Sequence, residues 1–295
     1  MQGRLVGIAV HALKSARGVQ VERALVEPWG LRGDRRWAVV HPDGRRLRGA
    51  EVPAIMGVTA RPAPDGGLHL SALARPELGA VEVRPPAGPA LDVEPGAFLD
   101  VAHLVPGEDP AAEAWLSAAV GEPVRLVWLD DRTPRPIAAE HGGTGRPDDV
   151  VSLADTGPLL LASRSSLRRL DDWVAELALE RGDGPPDPLD MRRFRPNVVV
   201  DGFEPFAEDG WSAVTIGDVA FRVTEACDRC SVTLHDPDTL ERGKEPIRTL
   251  ARFRRRDGLT WFGVRLAPVG HGEVRLGDPV VPVAAGGEGV VGGAA

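Results

Sequence analysis

Ala226-Cys227-Asp228-Arg229-Cys230-Ser231-Val232-Thr233, running on through His235-Asp236-Pro237-Asp238-Thr239, holds both cysteines of the chain in one Cys-x-x-Cys pair between β-type runs. A thiolate is a soft metal ligand and a good nucleophile, the thiol is neither, and Arg229 between the sulfurs is placed to favour the thiolate. Four readings are open at this point. A structural zinc site needs four ligands, and the chain has no second pair, nor are His235 and His271 spaced as a His-x₃₋₅-His set. A thioredoxin-type pair caps a helix after a strand, whereas residues 231–234 are expected to continue as a strand. Two buried structural cysteines are common in cores. The fourth reading is a single cysteine ligand to a metal carried by a larger cofactor, and its weight depends on what the rest of the chain supplies.

The chain has 295 residues, 43% hydrophobic and 26% charged, enough for two ordinary globular domains. A net charge of −8 sets aside a general nucleic-acid surface but leaves room for a local anion pocket. No apolar run approaches the length of a membrane span, so no membrane partner is expected. Met1-Gln2-Gly3-Arg4-Leu5 does not read as a secretory signal. With only two cysteines, the expected compartment is a reducing cytoplasm. The chain has no tyrosine, so no phenol can act as acid, base or radical.

Residues 5–11 read as a strand that ends in Ala12-Leu13-Lys14-Ser15-Ala16-Arg17-Gly18. A Lys-Ser pair in such a turn offers a cation, a hydroxyl and a backbone N–H, the groups that hold a phosphate, or else it is a solvated turn. Residues 21–26 read as a second strand. The Gly-rich turn at residues 29–37 then carries Asp34 and Arg35, either a surface pair or an Asp that orients the chain so that its Arg faces an anion. Pro42-Asp43-Gly44 is a hairpin turn. Short strands are expected near residues 55–60, 68–70, 80–84, 91–93 and 98–104, the spacing of a barrel or sandwich. Asp109 as N-cap, Pro110 at the first helical position and Gly121 as stop predict a helix over 111–120. A strand follows at 124–128, then a polar, Pro- and Gly-rich loop over 130–149, expected to be mobile.

In the second half, a turn at 152–158 leads to an apolar run and a helix capped by Ser163 or Ser165. Its apolar face is Leu167, Leu170, Trp173, Val174 and Leu177. Met191-Arg192-Arg193-Phe194-Arg195-Pro196-Asn197 precedes a strand at 198–200, its arginines either solvated or forming an anion clamp. A hairpin centred on Gly217-Asp218 delivers the chain to Cys227. After the tight turn at 236–239 come a short helix near 246–253, a strand at 261–266, a closing segment at 277–281 and a Gly/Ala-rich tail.

Phe194-Arg195-Pro196-Asn197, Ile216-Gly217-Asp218 and Ala226-Cys227-x-Arg229-Cys230-x-x-Thr233-x-x-Asp236-Pro237-Asp238-Thr239, in that order and spacing, resemble the MOSC domain (molybdenum cofactor sulfurase C-terminal). The first part resembles the β-barrel domain that precedes it. Together they are similar to the family of the mitochondrial amidoxime-reducing component and its bacterial relatives, over all but the tail and the loop after Trp128. The resemblance implies an α+β, mainly β fold: an N-terminal β-barrel-like domain over 1–125, a MOSC β-barrel with a few peripheral helices over 126–284, and a flexible tail over 285–295. It implies a molybdenum cofactor (Mo-molybdopterin), with Cys230 as metal ligand and catalytic residue. It also implies that Lys14, Ser15 and Arg35 hold the cofactor phosphate, and that Thr156, Arg195 and Asn197 contact pterin or phosphate. Cations with directional donors and acceptors suit such a ligand. The chain departs from the family at Ala12, where proline is usual, and at Leu240, where glycine is usual.

The function this implies is reduction of small N-hydroxylated compounds. No zinc is expected, and no cysteines remain for a fused iron–sulfur cluster, so electrons are expected from a separate flavin or iron–sulfur protein. The rival readings are a carrier of cofactor or persulfide sulfur without turnover, and a domain whose cofactor pocket is relict; the retained Lys14, Arg35 and Arg195 argue against the latter.

Overall fold

The computed structural model describes residues 3–87, 91–92, 103–130, 135–184 and 186–285. Its largest element is a closed barrel of seven strands. In order around it run Leu159–Ser163, Val198–Asp201, Gly3–Val10, Pro279–Ala284, Trp211–Ile216, Val219–Asp228 and Leu259–Pro268, which pairs back onto Leu159–Ser163. The chain's first strand is thus part of this barrel, between Val198–Asp201 and Pro279–Ala284. Closure needs a sharp bend, and Gly263 supplies it: its φ is +79°, and a Cβ there would lie 2.6 Å from the Leu161 carbonyl oxygen. Inward residues from every stave, among them Ile8, Leu161, Val198, Val214, Phe221, Leu266 and Val280, fill the barrel.

The N-terminal half adds a second core. Two sheets enclose it, one of Trp37–Val40, Arg125–Trp128, His103–Pro106 and Leu91–Asp92, the other of Val58–Pro62, Leu68–Ala72 and Val81–Val83. Helix α1, Pro110–Val120, packs on it; Asp109 accepts from the N–H groups of Ala111 and Ala112, and Gly121 ends it in the left-handed region. Helix α2, Arg164–Glu180, is capped by Ser163 and buries Leu167, Leu170, Val174 and Leu177 against the barrel's outer face, with α3, Ile247–Phe253, beside it. The mainly β architecture with a few peripheral helices is as expected.

Three local expectations are corrected. Residues 55–60 do not form one strand: Pro53 opens a 3-10 turn, Pro53–Gly57, and the strand starts at Val58. Residues 231–234 are not a strand but a 3-10 turn, Ser231–Leu234. The Thr233 hydroxyl and amide both donate to the Cys230 carbonyl, at 2.9 and 3.2 Å, and draw the chain back on itself. The described part of the 130–149 loop is tied down: Arg135 is buried and donates to the carbonyls of Ser152 and Ala154, while Arg222 holds Asp149 at 2.7 Å. The rest of that loop at 131–134, the expected strand residues 93–102 and the tail at 286–295 lie outside the described residues.

One buried acid has a thermodynamic consequence. Glu208 is fully buried, and burial pushes its pKa up to about 7. The Ser166 hydroxyl, which accepts from the Phe206 N–H, donates to the Glu208 oxygens, 2.8 and 3.0 Å away, and offsets only part of the cost of burial. A folded-state pKa above the unfolded value means that this group's own contribution to stability is fullest below about 4.5 and is lost as pH rises through about 7. Glu208→Gln is expected to gain roughly 2–3 kcal/mol over the unaltered protein at pH 8 and little at pH 4.5. Denaturant melts at the two pH values measure this, and equal gains at both would contradict it.

Candidate cofactor site

Three left-handed residues frame the site. Ser15 (φ +66°), Arg35 (φ +48°) and Arg195 (φ +56°) are not glycines, yet all three line one cavity of about 390 Å³. Such conformations cost of order 1–2 kcal/mol each and persist where surrounding contacts impose them.

Those contacts are visible. The Lys14 N–H donates to the Trp37 carbonyl and the Trp37 N–H to Ala12, fixing the Lys-Ser turn beside the N-terminal sheet. The Arg35 N–H donates to His11 and its carbonyl accepts from Leu153, so its backbone joins the two halves of the chain. Asp34 is fully buried. One oxygen accepts from the His11 N–H at 2.7 Å and the other from the Arg35 guanidinium. Phe194 stacks on Phe262, ring centroids 4.0 Å apart, and this buried anchor turns Arg195 back into the cavity, where it donates to the Ala16 carbonyl at 2.7 Å. Asn197 staples the strands: its side-chain oxygen accepts from Leu160 and Arg35, and its amide donates to Ala9.

The same cavity is lined by Lys14, Ser15, Arg35, Thr156, Arg195, Asn197 and Cys230, every site residue expected from the sequence. Asn197 is almost wholly buried and its oxygen already has two donors, so its part is to hold Arg35 and the backbone in place. The lining also includes residues not singled out beforehand: Arg46, Arg48, Asp155 and Arg265. The only sequence signals for them were the Pro-Asp-Gly hairpin before Arg46 and the adjacency of Asp155 to Thr156.

The lining carries seven cationic side chains, Lys14, Arg35, Arg46, Arg48, Arg195, Arg229 and Arg265, against the carboxylates Asp155 and Asp228. Burial of these charges shows in their acid–base chemistry. Burial pushes Lys14 down to about 8, although Asp155 sits 2.6 Å away. Burial and the neighbouring Arg35 push Arg195 down to about 9, still cationic at neutral pH. Two buried polar atoms of lining residues, Thr156 Oγ1 and Arg229 Nε, have no hydrogen-bond partner. An anionic, hydrogen-bonding ligand answers each of these features.

The two cysteines differ. Cys230 is exposed at the cavity wall, at the junction between the long strand and the 3-10 turn. Cys227 is buried, and its sulfur accepts from Arg229 Nη1 at 2.8 Å, while Arg229 Nη2 donates to the Phe194 carbonyl. Among the described residues no group of three or more His, Cys, Asp or Glu comes together that could hold a metal ion. A metal on Cys230 would therefore draw its other ligands from a carrier. Downstream, Asp238 is gripped by Arg17 and Arg192, and Asp236 by Arg193. The usual glycine at position 240 also has an explanation: Leu240 stands at φ +62°.

Comparison with known proteins agrees with this architecture. The MOSC N-terminal beta barrel domain matches residues 2–123 and the MOSC domain residues 148–281. Mitochondrial amidoxime-reducing component 1 of Mus musculus is 31% identical over 94% of this chain and 82% of its own length, and that of Homo sapiens 29% over the same shares. Molybdenum cofactor sulfurase of Solanum lycopersicum is 27% identical over 94% of this chain, which corresponds to 35% of that protein. With the closed barrel and the cation-lined cavity in view, this chain belongs to the MOSC proteins with an N-terminal β-barrel domain, the family of the mitochondrial amidoxime-reducing components.

Proposed function

We propose that the cavity holds the molybdenum cofactor, with Cys230 as the protein's ligand to the metal, and that the chain reduces small N-hydroxylated molecules. The observation that carries this is the clustering of cationic side chains, Arg195 among them, beside an exposed cysteine on one wall. The residues suit the group: Lys14, Ser15, Arg35 and Arg195 offer cations and a hydroxyl for the phosphate, and Thr156 brings an unspent hydroxyl to the pterin. The chemistry such a cofactor supplies is removal of oxygen from nitrogen: two electrons and two protons turn N–OH into N–H and water, the electrons coming from a separate flavin or iron–sulfur protein.

The chain's own part is binding and orientation. Arg229 and Arg265 line the same cavity as Cys230, Arg229 fixed by Cys227 and the Phe194 carbonyl and Arg265 by Glu225 and Asp228. Asn197 and Asp34 keep Arg35 from swinging away. A reducing compartment such as the cytoplasm keeps Cys230 free of disulfide exchange. Among the described residues no helix is long and apolar enough to cross a membrane.

Elemental analysis of protein purified from a cofactor-making host tests the reading, with stoichiometric molybdenum expected; protein that carries none would end it. A pH profile tests the phosphate end separately. Lys14 must be protonated to hold an anion, so affinity for inorganic sulfate, whose own charge is constant over this range, is expected to be flat below about pH 8 and to fall above it, by up to about tenfold per pH unit. Lys14→Met should flatten that profile up to about pH 9, where Arg195 begins to lose its own charge; calorimetry that finds the same fall between about pH 8 and 9 in both proteins would release Lys14 from the role.

A further inference from the structure

A second cavity, of about 300 Å³, lies against the first, with Arg195 and Val232 lining both. Its character is different. Val6, Leu167, Met191, Val199, Val232 and Leu240 give it largely apolar walls. Of its arginines, Arg17 and Arg192 pair with Asp238 and Arg193 with Asp236, Arg164 is exposed, and Arg195 stands in the wall shared with the first cavity. Away from that shared wall, nothing here draws an anion as the first cavity does.

Two buried imidazoles line it, His11 and His235, each less than a tenth exposed and each with an Nδ1 that has no hydrogen-bond partner. The His11 Nε2 lies 3.3 Å from the Pro196 carbonyl, an acceptor, so Nε2 carries the proton and Nδ1 presents a lone pair. Burial and the nearby guanidiniums of Arg195 and Arg35 hold His11 neutral, which keeps that lone pair available. Gly18, also in the lining, lies over the same nitrogen: a Cβ there would sit 2.4 Å from it. A side chain at position 18 would cover the one acceptor the ring has left. A buried acceptor without a donor is costly, and it is relieved by a ligand that brings one.

We propose that this second cavity is a binding site for a small, neutral, planar molecule that donates an N–H or O–H hydrogen bond to His11 Nδ1, with His235 as a second polar contact. The site is independent of the cofactor reading, since no residue assigned to the metal or its phosphate is needed for it apart from the shared wall at Arg195.

Indole, with an apolar body and one N–H, is a suitable probe, and 1-methylindole is the same body without the donor. Both are titrated into the full chain and followed by amide NMR shifts. Indole is expected to shift Gly18, Met191 and His235, and 1-methylindole to bind about tenfold more weakly, the worth of one buried hydrogen bond. In His11→Phe the two probes should bind alike. Equal binding of both probes to the unaltered protein overturns the proposal without recourse to any variant. So do shifts confined to Lys14, Arg35 and Cys230, or no shifts at saturating indole.

Discussion

Cys230→Ala is expected to melt within about 2 °C of the unaltered protein and to lose at least about a hundredfold of its reductase activity. The first half follows from exposure: the Cys230 side chain stands at the cavity wall and supports no core packing, and such substitutions stay within about 0.5 kcal/mol. The second follows from the loss of the proposed metal ligand. Removing a group that merely orients a metal ligand costs about 10–100-fold, so removing the ligand itself costs at least the upper end. Turnover of an N-hydroxylated amidine with reduced methyl viologen as electron source measures it. Cys227→Ala is the counterpart. Its buried sulfur holds Arg229, so it should destabilise by roughly 1–2 kcal/mol yet keep most of the activity. The reverse pattern, an active Cys230→Ala and an inactive Cys227→Ala, would move the ligand to the other cysteine.

The second large effect separates two arginines that look alike in sequence. Arg195 has no carboxylate partner; it donates to the Ala16 carbonyl, and burial beside Arg35 makes its charge costly. Arg195→Met is therefore expected to leave cofactor-free protein as stable as before or slightly more so, while cofactor retention falls about 10–100-fold, the worth of a charge-assisted contact to phosphate. Arg35 balances Asp34, which is fully buried. Arg35→Met leaves that carboxylate without its counter-charge and should cost roughly 3–5 kcal/mol of stability before any effect on binding is measured. Thermal melts and bound molybdenum, measured on both variants, give two numbers each. Equal destabilisation of the two would show that Arg195 is as much a structural group as Arg35.

The sequence was most legible where a residue's chemistry acts locally. Asp109, Pro110 and Gly121 bounded α1, and Gly217-Asp218 marked its hairpin, because caps and tight turns are settled by residues a few positions apart. It misled at 231–234, where Val and Thr promised a strand and the Thr233 side chain closed a turn instead. The strand expected there was the reason for setting a helix-capping cysteine aside, and that reason falls away. Periodicity gave no hint that Gly3–Val10 is a stave of the barrel otherwise formed by the second half, since sheet partners far apart in sequence leave no local trace. The site residues found beforehand were those inside quotable motifs. Arg46 and Arg265, which add to the same positive lining, stand in runs with no pattern of their own.

The position of Gly3–Val10 bears on how the protein comes to be loaded. A ribosome releases that segment well before its partner Pro279–Ala284, so the ring of staves stays open until the partner emerges. Pairings over such long separations form slowly. Lys14 and Arg35 follow directly on the early stave, while Arg195 and Cys230 arrive late. On the proposed cofactor reading, a nascent chain has no complete site to offer until those later segments have emerged.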